Sequence, residues 1–364
     1  MTSPVDPCQV PAAPAPDGYT TNFNNPISLG PALIGVITFT VIWAIVFTSA
    51  RFYINFRKLG WSDWFNLIAL LHSISILGIE GTQFNVARHI WDVPACFFDQ
   101  TYAQGIYIPA VLLQTGAFFA KASIFLLYLG LFTVQRPTRL AIYAGIIFAF
   151  IIYGAGVAVA TYYETPRAGE DWTAVLLDGR SVIPLPWWQA QSALSVALDL
   201  YIFILPIPVI VRLRLPVQRK IQLVAVFSLA LGGIAASVAS LVERIHIAHA
   251  YDQTWISVIL SLCSAVELNV AIIVGSAPAF AGFARTHLMD LSVVKLLLSS
   301  ISFTSKSKLY DSEAPLDGPD RKYENHTVER PGIGGKGAKS LPDRNHRYYE
   351  LNDVPTLKKA PGSS

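Results

Sequence analysis

Hydrophobic and polar positions along this chain neither alternate with the period of a strand nor gather on one face of a helix. They fall into long blocks. Seven mostly apolar stretches run from Pro31 to Ala50, Ser62 to Phe84, Gly105 to Phe132, Arg139 to Tyr162, Trp187 to Arg212, Lys220 to Ile247 and Trp255 to Phe283. About 20 residues carry a helix across a hydrocarbon layer about 30 Å thick. Hydrocarbon offers backbone amides no water, so each stretch must bond its amides internally, as an α-helix does. The pattern predicts an all-α polytopic membrane protein with seven transmembrane helices over residues 31–283, preceded by a short segment, 1–30. Trp61 and Trp64 before the second stretch, Trp187 and Trp188 at the fifth and Trp255 at the seventh are read as interfacial anchors.

Composition points the same way. Of 364 residues, 53% are hydrophobic and 14% charged, with a mean hydropathy of +0.45; soluble domains carry about 25% charged residues. The charge is concentrated: residues 284–364 hold 13 Lys or Arg and 10 Asp or Glu. That composition predicts a disordered C-terminal tail over 304–364. Before it, Leu288, Leu291, Val294, Leu298 and Ile301 form an apolar stripe beside Arg285 and Lys295, which predicts a short amphipathic inner-leaflet helix over 284–303. A net charge of +3, with no basic patch interleaved with aromatics, excludes nucleic acid as a partner.

Lys and Arg in short loops set the orientation. Loops one, three and five, with their helix edges, hold Arg51, Arg57, Lys58, Arg136, Arg139, Arg212, Arg214, Arg219 and Lys220; the N-terminal segment and even loops hold Arg88, Arg167 and Arg180. This asymmetry predicts an N-terminus outside and a cytoplasmic tail; the plasma membrane is expected in preference to the endoplasmic reticulum. The first 30 residues have no Lys or Arg and no apolar core, so the first helix is expected to act as its own insertion signal. Cys8 and Cys96 share the oxidising side and are expected to form a disulfide, the alternative being two separate thiols. The sequon Asn325-His326-Thr327 falls in the tail and is expected to stay unmodified. No metal-binding His pair, P-loop or nucleophile elbow occurs, so no metal site is expected.

An ionisable side chain at bilayer depth costs several kcal/mol unless paired or hydrated, which makes each one a functional candidate. Asp199 and Glu267 each lie 12 residues from the outer ends of helices five and seven, near the midplane, with His72 also near the middle. Lys121 is roughly 6 Å deeper, at about 1.5 Å per residue. Glu80, Glu243 and Arg244 fall in the outer turns of helices two and six, giving a polar funnel. One reading is a packing network in which Asp199 or Glu267 neutralises Lys121 and Asn269 completes the set. Another is a binding pocket for a small apolar molecule formed by His72, Glu80, Lys121, Asp199, Glu243, Arg244, Glu267 and Asn269. A third is a site in which Asp199 or Glu267, kept protonated by its neighbours, donates a proton for isomerisation or cyclisation. Pro206 and Pro208 predict a kink below Asp199, and Gly232-Gly233 a close helix contact.

Five motifs fall in order on these helices: Leu59-Gly60-Trp61-Ser62-Asp63; Lys121-Ala122-Ser123-Ile124 with Tyr128; Asp199 leading to Leu205-Pro206-Ile207-Pro208; Arg219-Lys220-Ile221 with Phe227; and Glu267-Leu268-Asn269 leading to Ala277-Pro278. Together they resemble the fungal rhodopsin-domain family over about residues 30–285. The resemblance implies a seven-helix integral membrane protein, with satratoxin-cluster and receptor-like members among its kin. It leaves two functional expectations: a receptor-like sensor or accessory component of secondary-metabolite biosynthesis, partnered by a cytoplasmic signalling protein at Arg214, Arg219 and Lys220, or a membrane-embedded cyclase or isomerase. A retinal cofactor is not expected, because the stretch from Trp255 to Phe283 has no lysine for a Schiff base.

Overall fold

The computed structural model describes residues 6–131, 136–208, 217–247, 250–284 and 286. Arg212, Arg214, the Leu288–Ile301 stripe and the Asn325 sequon lie outside them. The described residues form eight α-helices: α1 Gly30–Asn55, α2 Trp61–Thr82, α3 Gln100–Leu131, α4 Arg136–Glu164, the short α5 Trp172–Leu177, α6 Leu185–Ile204, α7 Val217–Ile247 and α8 Gln253–Phe283. Six are long and apolar enough to cross a membrane by length and composition: α1, α2, α3 through Gly130, α4, the Phe227–Ile247 part of α7, and α8. Their outward faces carry apolar side chains such as Phe39, Ile147, Phe150 and Leu231 in the open.

The fifth apolar stretch, from Trp187, is occupied by α6. This helix is not among the six by length and composition, and it turns Gln191, Ser192 and Ser195 into the bundle, where all three are buried. The ladder ends where the Leu205 amide bonds to the Tyr201 carbonyl, 3.0 Å; Pro206 next has no N–H to continue it.

α3 lies at the centre, against α2, α4 and α8, while α1 packs on α8 and α8 on α7. Small residues let the axes approach: Ala44, Ala69 and Ala120 are fully buried beside Leu268 and Ile272. A Cβ on Gly145 would lie 2.5 Å from the Phe125 ring, so the α3–α4 crossing requires glycine. A second apolar core joins Ile124, Phe125, Ile142, Leu198, Ile202 and Val274.

At one end of the bundle the N-terminal segment and the α2–α3 loop build a cap. A disulfide joins Cys8 to Cys96, Cα atoms 5.0 Å apart. The Ala12 and Ala95 amides donate to the Val93 and Val10 carbonyls, both 2.9 Å. His89 stacks between Trp91 and Trp255, ring centroids 4.6 and 4.1 Å away. Its Nδ1 lies 2.5 Å from Asp252, whose carboxylate also caps α8. In the α4–α6 connection Arg180 is buried and pairs with Glu170 and Asp178, and the guanidinium holds the Glu170 carboxyl below the usual carboxylate range.

Arg51 is a helix-edge cation that turns inward. It lies inside α1 and is 1% exposed, its Nε 2.6 Å from Asp63 Oδ1. Neither Arg51 nor Arg180 is a solvated loop charge.

Candidate functional site

Halfway along the bundle, Lys121 of α3 is 1% exposed. Its ammonium lies 2.8 Å from Asp199 of α6 and 3.1 Å from Glu267 of α8. Asp199 sits one helical turn from Ser195, so both face α3. The Ser195 hydroxyl accepts from Lys121 at 2.8 Å and donates to Glu267 at 3.0 Å. Ser195 has one proton, so the Tyr153 hydroxyl, 3.0 Å away, donates to it. The Tyr153 ring also lies under the ammonium, 5.6 Å from its centroid. Two carboxylates and one ammonium carry a net charge of −1 when all are ionised. Asp199 Oδ2 is buried without a hydrogen-bond partner.

Three cavities line up with this cluster. The largest, 290 Å³, opens at the cap end and mixes apolar walls with Glu80, Gln114, Glu164 and Arg244. A 60 Å³ chamber reaches Lys121, Tyr153, Ser195 and Glu267 and shares Leu113, Gln114, Trp188, Arg244 and Ser264 with the first. A third, 50 Å³, touches Asp199 and Glu267 from the other side, against Tyr128, Phe203 and Phe227.

The candidates read from the sequence divide accordingly. Lys121, Asp199 and Glu267 meet, while Glu80 and Arg244 line the large cavity. Asn269 does not complete the Lys121 set: it accepts from Ser73 at 2.6 Å and donates to Thr40 at 3.0 Å. At 100° per residue, a step of two turns it to the opposite side of α8 from Glu267. His72 hydrogen-bonds the Ile68 carbonyl, 2.7 Å, beside Phe119, and Glu243 lies 3.9 Å from His246 on its own helix. Neither joins the cluster.

Sequence reasoning missed two groups. Glu164, at the end of α4, stands in the cavity with Oε2 buried and unpartnered; its position beside the polar loop disguised it as a loop charge. The other is the network around Arg51, which donates to Ser62 at 2.5 Å and to the Gly275 carbonyl at 2.8 Å, while Asn66 accepts from Thr48 and Ser276. It ties α1, α2 and α8 together at the end opposite the cap. The signal available was an Arg and an Asp 12 residues apart at the facing ends of two apolar blocks.

Comparison with known proteins fits this architecture. A SAT4 family membrane protein of Emericella nidulans is 28% identical over 198 residues, 54% of this chain and 49% of the relative; the matched region thus spans about half the relative's length. No solved structure matches. The model of the fungal rhodopsin domain matches residues 46–286, a range that takes in Lys121, Asp199, Glu267, Glu164 and Arg244, and the chain belongs to the fungal rhodopsin-domain family.

Proposed function

We propose that this protein is a seven-span, receptor-like sensor of a small, mostly apolar molecule, held in a fungal plasma membrane and serving secondary-metabolite biosynthesis. The observation that carries the reading is the cap-end cavity. Its 290 Å³ lies at the low end of the range for small-molecule pockets, and apolar walls with a few convergent polar groups are what such pockets show. Through its shared wall it adjoins the Lys121 chamber, where α3, α6 and α8 meet, so occupancy bears on their packing.

The seventh span is α6. α4 ends, and α7 ends, at the cap-end cavity, through Glu164 and Arg244. Between them the chain must return to the opposite end, and α6 makes that passage: Trp188 near its start lines the same cavity, and Tyr201 near its end bonds the Ala141 carbonyl in the first turns of α4, 2.8 Å. The Cys8–Cys96 disulfide supports a cap on the oxidising side, outside the cell.

A second reading rests on Asp199. Its unpartnered Oδ2 beside the 50 Å³ cavity offers a protic group for an acid-catalysed cyclisation or isomerisation. Deletion followed by metabolite profiling separates the two. A sensor leaves every intermediate present and abolishes the transcriptional response to added apolar compounds; an enzyme leaves one intermediate accumulating, and Asp199→Asn or Glu267→Gln reproduces that defect.

Retinal has no place in either reading. α8 has no lysine, and Lys121 Nζ is enclosed by two carboxylates and Ser195 beside chambers of 50 and 60 Å³. Purified protein given retinal is expected to show no visible band, and a red-shifted band lost on Lys121→Met would overturn this.

A further inference from the structure

Arg244 and Glu164 both line the cap-end cavity, and no ion pair joins them. Among the described residues, the Arg244 guanidinium makes no hydrogen bond and has no carboxylate within 4.0 Å; its backbone is held in place, since Gln189 Nε2 donates to the Arg244 carbonyl, 3.1 Å. Glu267 and, less strongly, Glu164 act on it electrostatically from beyond ion-pair range. The Glu164 Oε2 atom is fully buried and has no partner. A guanidinium offers only donors and a carboxylate only acceptors, so a molecule between them must present an acceptor to one and a donor to the other.

Resting on the sensor reading above, we infer that this cavity takes a small, uncharged, largely apolar molecule bearing a hydroxyl beside a carbonyl, with the carbonyl oxygen on Arg244 and the hydroxyl proton on Glu164. A carboxylate ligand would bring a third negative charge to a cavity already lined by Glu80 and Glu164. An amine would satisfy Glu164 but give the Arg244 donors no acceptor. The neutral hydroxy-carbonyl fills both and adds no charge. Leu33, Pro109, Leu113 and Val258 on the same walls take its apolar body.

The test is binding to full-length protein in lipid nanodiscs, read by ligand-detected NMR against empty nanodiscs. The probes are 2-hydroxyacetophenone, acetophenone, 1-phenylethanol, phenylacetate, 2-phenylethylamine and ethylbenzene. 2-Hydroxyacetophenone is expected to bind about tenfold or more tighter than acetophenone or 1-phenylethanol, as a site built to pair both groups rejects analogues lacking one. Arg244→Gln and Glu164→Gln are each expected to erase that preference while ethylbenzene binding persists. Saturable binding led by the amine or the carboxylate, or a hydroxy-ketone no better than ethylbenzene, overturns the inference and leaves the cavity reading intact. No saturable binding by any probe overturns both. The ranking in the unaltered protein decides the matter even if a variant fails to fold.

Discussion

Lys121 holds together charges that would otherwise repel. With Asp199 2.8 Å and Glu267 3.1 Å from its ammonium, Lys121→Met leaves two carboxylates facing each other in an apolar bundle. Removing one partner of a buried ion pair costs about 3–5 kcal/mol, so this variant is expected to unfold at markedly lower temperature in detergent. Asp199→Asn or Glu267→Gln is expected to cost less, because the ammonium keeps one carboxylate and Ser195. An unchanged melting temperature for Lys121→Met would mean that the cluster is hydrated and not an ion network. Arg51 and Asp63 make a parallel case at the other end. Arg51→Met alone strands Asp63, which retains only Asn55 and the Gly60 amide, at a similar cost of about 3–5 kcal/mol. The double variant Arg51→Met, Asp63→Leu is expected to recover much of that, since a well-packed apolar replacement of a buried pair is often neutral. A double-mutant cycle on thermal unfolding measures the coupling.

At the scale of elements, the apolar blocks were legible because lipid imposes an all-or-none composition on a span, and Pro206 marked where the α6 ladder stops. What block patterns do not carry is azimuth. Depth placed Glu267 and Asn269 together, yet two residues of helix put them on opposite sides of α8, one toward Lys121 and one toward Ser73 and Thr40. The ends of α1 and α4 continue past the apolar blocks as packed helix, which buries Arg51 and Glu164. The cap left almost no pattern: it is built from short 3-10 turns and paired prolines, and its sequence signal was Cys8 and Cys96. The disulfide closes a loop across 88 positions, which in the chain-entropy picture stabilises by about 4.6 kcal/mol. Cys96→Ser is therefore expected to lower thermal stability and to expose residues 6–29 to protease, while the bundle keeps its helical circular dichroism. Wild-type protease resistance in that variant would mean that the His89 stack and the Tyr251–Pro14 hydrogen bond, 2.5 Å, hold the cap unaided.

For the whole molecule the deciding question is parity. The chain leaves α4 and finishes α7 at the cap-end cavity, and the proposed seventh span follows from this: the intervening chain would cross once in α6 before α7 crosses back. α6 is not among the six helices apolar enough to cross by composition; its inward face supplies Gln191, Ser192, Ser195 and Asp199 to the polar centre, and a helix that faces other helices instead of lipid can carry them. Hydropathy therefore understates the helix that contributes most to the site. A glycosylation reporter inserted within residues 166–170 is expected to be modified, because the proposed orientation puts the disulfide-bearing end in the secretory lumen during synthesis. The same reporter between α6 and α7 is expected to remain unmodified, on the side where Lys and Arg accumulate. If both sites are modified, α6 folds back without crossing; α7 would then begin on the cap side, and the packing of Arg244 against the cap-end cavity could not stand. If only the second is modified, the molecule is inverted, and the cap with its disulfide would face the cytosol. Only the expected pattern leaves the cavity open to molecules arriving from outside and the Arg51 end facing the cell interior, as a sensor requires.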